Sequence, residues 1–263
     1  MSKLTVKNLS FGYDNNKLFS NLNFNVPSGS FISIIGPNGS GKSSLAQILV
    51  GKIKTNNVYI DDINIFDDES FFKKIGYLST NNDINIDNVY DYIAFPLKNI
   101  NLLENDINKK VVEIANRFNI SYLLDSNISE LSTFDKYLVY LSSIFIYQPK
   151  IVVLDDPFIG LDKYEREKLF NSIKSYNDDN KITIINVTNN MEDLLYGSIT
   201  MVLNHGNIEF YGNTLELFNN DKLFNKIGLN MPFMVDLSIK LKYYGLIDKV
   251  MLDMNEMVDV LWK

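Results

Sequence analysis

The pattern of apolar and polar positions near the start of the chain is that of short strands separated by turns. Residues 4–6 are predicted to be a strand, residues 11–16 a turn, and the alternating run 22–26 an edge strand. The uninterrupted apolar run 31–35 predicts a strand buried on both faces of a mostly parallel sheet. A helical pattern over residues 43–50 follows this strand almost directly.

Helical spacing of apolar residues dominates the middle of the chain. Asn105 is predicted to cap a helix, and a second helix is predicted over residues 133–147. Residues 151–154 and 182–187 are predicted to be further buried strands, with a crossover helix over residues 163–176. Strands that alternate with helices in this way predict a layered α/β domain.

The pattern changes beyond about Leu217, where Pro232 precedes a run with Phe233, Leu237 and Leu241 at helical spacing. This run predicts a helix with an apolar stripe. Two interpretations remain open: a small helical C-terminal appendage, or a helix that completes the core of the main domain.

Composition narrows the function classes. The net charge of −7 argues against nucleic-acid binding, because phosphate backbones are held by clusters of Lys and Arg. The chain has no Cys and a single His, His205, which excludes disulfides and thiolate metal sites and leaves little room for histidine chemistry. No apolar run reaches the roughly 18–20 residues of a membrane span, and no signal peptide is predicted.

One motif indicates a specific chemistry, the pattern G-x-x-x-x-G-K-S/T between a predicted strand and a predicted helix. Its glycines let the backbone curl so that N–H groups point at phosphate oxygens, and the helix N-terminus adds partial positive charge. Lys42 is predicted to contact the β- and γ-phosphates, and the Ser43 hydroxyl to ligate Mg²⁺. The residues of the motif are Gly36, Pro37, Asn38, Gly39, Ser40, Gly41, Lys42 and Ser43.

A nucleotide site of this kind also needs a metal-positioning carboxylate at the end of a neighbouring strand. Asp155 and Asp156 follow the predicted strand 151–154 and supply it. We predict that Asp155 is the Mg²⁺ partner, directly or through water. Together with the phosphate-binding motif, it predicts a chain that binds ATP with Mg²⁺.

Along nearly its whole length, the chain resembles the ATP-binding cassette ATPases of membrane transporters. The resemblance implies a P-loop NTPase cassette fold: a mostly parallel core sheet with helices on both faces, an antiparallel N-terminal β-subdomain, and a helical subdomain at about 82–148. The cassette would span residues 1–217, and a small helical extension residues 218–263. Tyr13 lies where the family stacks an aromatic ring on adenine, with a core tyrosine as the alternative, and Ser44 joins the implied ATP-binding set.

Three stretches resemble one subfamily, the energy-coupling factor transporter ATPases. Residues 75–83 resemble the run GYVFQNPD, and residues 91–97 resemble DDVAFGL. Residues 227–233 resemble the LGLDxPF opening of the helical C-terminal extension, which most cassette ATPases lack.

Several positions depart from the family pattern. Asp156 replaces the glutamate that orients the attacking water, and a displacement of about 1 Å at such a group costs on the order of a hundredfold in rate. Asn189 replaces the switch histidine, and an amide cannot carry the proton. Thr80 replaces the glutamine that helps to hold Mg²⁺. We therefore expect weak hydrolysis at this chain's own site.

The family's LSGGQ signature, which acts on the partner's nucleotide across the dimer, is also altered. Phe134 adds bulk and Asp135 adds negative charge near that triphosphate. Asp162 lies in the loop that communicates between subunits, the D-loop. The altered signature consists of Leu131, Ser132, Thr133, Phe134 and Asp135.

The resemblance implies an ATP-binding subunit of an energy-coupling factor importer, at the cytoplasmic face of the cell membrane. ATP-driven dimer closure would power uptake of a vitamin or a metal ion. The implied partners are a second, different ABC ATPase, a transmembrane coupling subunit and a substrate-binding membrane subunit. Two alternatives are a subunit of another importer or exporter, and a regulatory nucleotide-binding module or other P-loop enzyme such as a kinase.

Overall fold

The structure is a computed structural model that describes residues 3–14, 16–80, 85–98 and 102–262. Within those residues the strands are β1 Leu4–Tyr13, β2 Asn16–Val26, β3 Phe31–Ile35, β4 Val58–Ile60, β5 Ile63–Asn64, β6 Ile75–Ser79, β7 Ile151–Asp155, β8 Thr183–Val187, β9 Ile199–Asn204 and β10 Asn207–Asn213. The α-helices are α1 Lys42–Leu49, α2 Phe71–Lys74, α3 Val89–Lys98, α4 Glu104–Arg117, α5 Thr133–Phe145, α6 Lys163–Asn180, α7 Thr214–Phe218, α8 Asp221–Ile227, α9 Phe233–Tyr243 and α10 Met254–Leu261.

The central sheet has six strands in the order β10-β9-β3-β8-β7-β6. Five of them are parallel, and β10 adds an antiparallel edge. Every residue of β3, β7 and β8 is buried, as the uninterrupted apolar runs predict. The carboxyl ends of β3, β7 and β8 therefore lie side by side, where ligands of open α/β sheets bind.

Alternate residues of the central strands enter two separate cores. Ile32, Ile34 and Val153 pack with α1 and the N-terminal strands on one face. Phe31 and Val152 pack on the other face, with α3 to α6. The predicted cassette fold is confirmed, with helices on both faces of a mostly parallel sheet.

The N-terminal β-subdomain is an antiparallel sheet in the order β2-β1-β4-β5, so β2 is an edge strand as predicted. The predicted turn over residues 11–16 is too long, because β1 continues through Tyr13 and pairs it with Asn16. Asp14 takes the left-handed conformation (φ 51°), which lets the hairpin close in so few residues. This places Tyr13 at the very end of a strand.

The region between β6 and β7 contains α3, α4 and α5, as the predicted helical subdomain requires. Its predicted start at residue 82 lies outside the described residues, as do the last residues of the 75–83 resemblance. The prediction that Asn105 caps α4 is wrong: the helix begins at Glu104, and Leu103 is the cap residue with extended backbone and no side-chain cap bond. Acidic Glu104 and Asp106 favour this helix start through the helix dipole.

The C-terminal helices do two things. Leu217, Phe218 and Phe224 pack with Ile35 and Val202 of the central sheet, so this part completes the main core. Helix α9 takes part in two clusters: Val235 packs in this main core, whereas Met234 packs with Met257 of α10 in a smaller apolar cluster. The backbone N–H of Phe233 also donates to the Glu192 carboxylate (2.8 Å).

The apolar stripe predicted for α9 is wrong in one member. Phe233 is 58% exposed, and Met234 and Val235 point inward instead. The buried positions of α9 therefore begin one residue later than the apolar spacing predicts. The division of the chain into residues 1–217 and 218–263 stays a prediction. Among the described helices, none is long and apolar enough to cross a membrane.

Candidate nucleotide site

The phosphate loop joins β3 to α1 through three glycines with unusual backbone. Gly39 and Gly41 have φ of 78° and 100°, in the region that disfavours side chains. A Cβ on Gly41 would lie 2.6 Å from the Phe19 ring, and one on Gly36 would lie 1.9 Å from the Leu203 carbonyl oxygen. Side chains at Gly36 and Gly41 would collide with these neighbours, so glycines keep the loop in this conformation before α1, whose first N–H groups have no partners within the helix.

Lys42 begins α1, and its side chain folds back over the loop. The ammonium donates to the carbonyl oxygens of Gly36 (2.8 Å) and Pro37 (3.0 Å). Burial lowers the pKa of Lys42, whereas the charges of Asp156 and Asp155 raise it. The cation is thus held between the loop and the two carboxylates at the end of β7, where it can contact an anion.

Tyr13 and Asn189 lie at the same cleft as the phosphate loop. A cavity of about 350 Å³ is lined by these two residues together with Asn38, Gly39, Gly41, Lys42, Ser43, Ser44 and Leu18. Tyr13 is 51% exposed and its hydroxyl shares a hydrogen bond with the Ser44 hydroxyl (3.2 Å). The alternative of a core tyrosine is therefore wrong: the ring makes an edge-to-face contact with Phe11 (centroids 5.0 Å apart) and is otherwise half exposed at the cleft.

The ends of β7 and β8 bring together Asp156 and Asn189, the two residues predicted to replace catalytic groups of the family. The side-chain amide of Asn189 donates to the Asp156 carboxylate (3.0 Å), and the Asp156 backbone N–H donates to the carbonyl oxygen of Val187 (2.8 Å). Asp156 has a φ of 45°, which turns its side chain away from the strand direction. The structure thus joins two residues that lie far apart in the sequence.

The three predicted Mg²⁺ ligands, Ser43, Thr80 and Asp155, carry oxygen donors on or beside three elements, α1, β6 and β7. Asp155 is 7% exposed, and among the described residues its Oδ1 has no hydrogen-bond partner. Ser43 is exposed at the start of α1, in the wall of the cleft. A carboxylate and a hydroxyl are the oxygen ligands that Mg²⁺ accepts beside phosphate oxygens, so these residues fit the ion. Thr80 lies one residue beyond β6 and is exposed, with residues 81–84 outside the described part.

Comparison with known proteins identifies the family. A family model described as ABC transporter matches residues 19–159, more than half of the chain. The chain belongs to the ABC transporter family. Membership in this family implies ATP binding, and the predicted resemblance to the cassette ATPases is confirmed. That the loop at residues 36–43 binds the phosphates stays a prediction.

Individual relatives agree with this ABC assignment. The energy-coupling factor transporter ATP-binding protein EcfA1 of Staphylococcus aureus is 28% identical over 264 residues, covering 95% of this chain and 98% of the relative. The solved structure of cbiO1 from Clostridium perfringens, described as part of the ABC transporter complex cbiONQ, is 27% identical with a TM-score of 0.77. It covers 89% of this chain and 97% of that one. A nucleotide-free ATP-binding cassette at 23% identity and a TM-score of 0.75 shares the fold, over 87% of this chain and 98% of that chain.

The altered ABC signature lies at the start of α5 and is not among the residues that line the cleft of its own chain. Ser132 caps the helix by accepting from the Asp135 backbone N–H (3.1 Å), and its hydroxyl donates to the Asp135 carboxylate (2.7 Å). The signature instead neighbours the segment before α6, since the Tyr137 hydroxyl donates to the Ile159 carbonyl oxygen (3.0 Å). Leu131 and Phe134 are partly buried, against the core of the helical region.

Asp162, which is predicted to lie in the D-loop, caps α6 through a capping box with Glu165. One turn further, Arg166 forms a bidentate ion pair with Asp193, which is 1% exposed (2.8 and 2.6 Å). Arg166 also donates to the Phe158 carbonyl oxygen, and Thr188 donates to Asp193 (2.6 Å). The segments that follow β7 and β8 are thereby tied together beside the nucleotide cleft.

This ion pair was not predicted, because each partner looks like an ordinary helix charge in the sequence. Tyr77 was also missed: its hydroxyl donates to Asp155 Oδ2 (3.0 Å). The signal for Tyr77 was a polar tip in an otherwise apolar strand, two residues before the strand ends.

Proposed function

We propose that this chain is an ATP-binding subunit of an energy-coupling factor type importer. The observation that carries the proposal is the extent of the similarity to EcfA1: it covers 95% of the chain, more than residues 1–217 alone provide. The C-terminal helices are thus included in the match. ATP-driven closure of two cassettes would move a transmembrane coupling subunit at the cytoplasmic face of the membrane, and a substrate-binding membrane subunit would choose the vitamin or metal ion.

Mg²⁺ is proposed to accompany ATP, held by Ser43, Asp155 and Thr80, the residue that follows β6. When bound, the ion neutralises charge on the phosphates. Lys42 would contact the β- and γ-phosphates, and the N–H groups of the loop would orient them. Tyr13 would stack its ring on adenine, because a nucleobase presents a π face to an aromatic side chain.

We propose that hydrolysis at this chain's own site is weak. The Asp156 carboxylate, one methylene shorter than glutamate, accepts a hydrogen bond from Asn189 (3.0 Å). That bond engages the carboxylate with a neutral amide, which can neither take nor deliver a proton. Activation of water is therefore poor, while the phosphate-binding groups are complete.

The signature supports a heterodimer. The Ser132 hydroxyl, which would otherwise donate to a γ-phosphate of the partner, donates to Asp135 of its own helix. The Asp135 carboxylate sits at the N-terminus of α5, where the helix dipole favours an anion. A homodimer would place this alteration and the Asp156–Asn189 pair in both sites. We therefore propose a different, catalytically complete ABC ATPase as the partner.

Steady-state phosphate release from the purified chain tests the hydrolysis proposal. We expect a rate near the uncatalysed background, and a gain of about tenfold or more from the double variant Asp156→Glu with Asn189→His when an intact partner is present. The single variant Asp156→Glu is the matched control. A wild-type rate equal to that of an intact relative, abolished by Lys42→Ala, would refute the proposal.

Copurification tests the transport proposal. A tagged chain extracted with mild detergent should bring down a second ABC ATPase and membrane-spanning proteins in fixed ratio. The control is the untagged chain taken through the same extraction, which should bring down none of these proteins. Recovery of the full chain without any membrane-spanning protein would contradict the importer proposal.

A further inference from the structure

Tyr77 contacts the carboxylate that the proposed magnesium site depends on. Its hydroxyl donates to Asp155 Oδ2 at 3.0 Å, although the two residues are 78 positions apart. Tyr77 lies in the stretch 75–83 that resembles the subfamily run GYVFQNPD, where the sequence predicts no role for its hydroxyl.

The register of two parallel strands explains how the phenol reaches the carboxylate. β6 pairs with β7 so that Tyr77 lies beside Val153 and Ser79 beside Asp155. Tyr77 and Asp155 therefore point to the same face of the sheet, two residues apart along the strand direction. That offset is about 6.6 Å, which matches the length of a tyrosine side chain. Phenylalanine would fill the same space without donating a hydrogen bond.

The donor is a stable one. The ordinary pKa of a tyrosine phenol is about 10, so the hydroxyl is protonated at physiological pH and can donate. A hydroxyl that donates to a carboxylate forms a charge-assisted bond, which is stronger than one between neutral groups.

The other carboxylate oxygen is left available. Oδ1 of Asp155 is buried and, in the described part of the chain, has no hydrogen-bond partner. Asp155 ends β7, which lies two strands from β3, the strand that leads into the phosphate loop. One oxygen of the Asp155 carboxylate thus accepts from Tyr77, and the other makes no hydrogen bond in the described part of the chain.

We propose that Tyr77 is a positioning residue that orients Asp155 so that Oδ1 serves the Mg²⁺ of bound ATP. The inference rests on the proposed Mg²⁺ site. Partners that orient a metal ligand in this way contribute about 10–100-fold to metal affinity in other proteins. The ammonium of Lys52 lies over the Tyr77 ring, 4.3 Å from its centroid, and adds a cation–π contact to the ring.

The test measures ATP binding as a function of Mg²⁺ concentration, with a fluorescent ATP analogue, and again in EDTA. Tyr77→Phe should raise the Mg²⁺ concentration for half-maximal binding about tenfold and leave the affinity in EDTA unchanged. The matched control is Tyr147→Phe, which removes another buried phenol hydroxyl, one that donates to the Ile75 carbonyl oxygen (3.0 Å). It should change neither quantity.

A double-mutant cycle with Asp155→Asn adds a second measurement. Tyr77→Phe should have no further effect on the Mg²⁺ dependence once Asp155 is replaced, because the two residues act as a unit. An unchanged Mg²⁺ dependence in Tyr77→Phe, or an equal loss in EDTA, would overturn the inference while the proposed Mg²⁺ site stands. If the wild-type chain itself binds ATP equally well with and without Mg²⁺, the proposed Mg²⁺ site fails, and the inference with it.

Discussion

The two sides of the nucleotide cleft are built in different ways. On the phosphate side, between β3 and α1, the groups proposed to bind ATP are backbone N–H groups and Lys42, and glycines hold the loop in conformations that side chains disfavour. On the switch side, where β7 and β8 end, a buried ion pair joins Arg166 to Asp193. The phosphate side keeps every group of its motif, whereas the switch side carries Asp156 and Asn189.

The difference separates binding from stability. Groups on the phosphate side are poised for a ligand, and burial penalises the charge on Lys42. Groups on the switch side satisfy one another, so removing one leaves a buried charge without its partner. Asp156 and Asn189 hydrogen-bond to each other beside this network. We propose that they weaken hydrolysis while the ion pair between Arg166 and Asp193 stays intact.

The largest expected effect comes from breaking the switch-side network. Asp193→Ala should lower the free energy of unfolding by about 3–5 kcal/mol, because the Arg166 guanidinium stays buried without its carboxylate. Urea denaturation measures it. The control is Asp178→Ala, which breaks an exposed ion pair with Lys174 (2.6 Å) and should cost below about 1 kcal/mol. Equal losses in the two variants would contradict this account of the network.

An intermediate effect is expected on the phosphate side, and only on binding. Lys42→Ala should weaken ATP binding by roughly a hundredfold, since hydrogen bonds to charged groups contribute about 1.5–3 kcal/mol each. The free energy of unfolding should hold or rise, because a desolvated charge is removed. Calorimetry and urea denaturation measure the two quantities. Lys109→Ala, at a side chain that is 79% exposed, is the control and should alter neither. A loss of stability as large as that of Asp193→Ala would erase the contrast between the two sides.

The smallest expected effect concerns the base. Tyr13→Ala should weaken ATP binding about tenfold and leave binding of inorganic triphosphate unchanged, because stacking contributes about 1–3 kcal/mol per base. Tyr13→Phe keeps the ring and should bind ATP within about twofold of wild type, with loss of only the exposed hydrogen bond to Ser44. If triphosphate binding falls in parallel with ATP binding, Tyr13 supports the loop and does not hold adenine.

Much of the fold could be predicted from local pattern. The strand Phe31–Ile35 was predicted with its bounds, because a buried strand needs an unbroken apolar run and the glycine after it ends the pattern. Helix α5 ends at Phe145, two residues before the predicted end, and such ends are set by capping more than by periodicity. Strands β4, β5, β6, β9 and β10 were not predicted. Of these, β6 pairs with β7, which is distant in sequence, whereas β9 and β10 pair with each other across a short turn.

The sequence by itself determined the family, the phosphate-loop motif and the positions that depart from the family pattern, because each depends on contiguous or regularly spaced residues. Only the tertiary structure decided which side chains bond to each other: Tyr77 to Asp155, Asn189 to Asp156, and Arg166 to Asp193. These pairs form where parallel strands end side by side or where a helix packs across them. Strand order and register set such distances, and neither is encoded in local spacing.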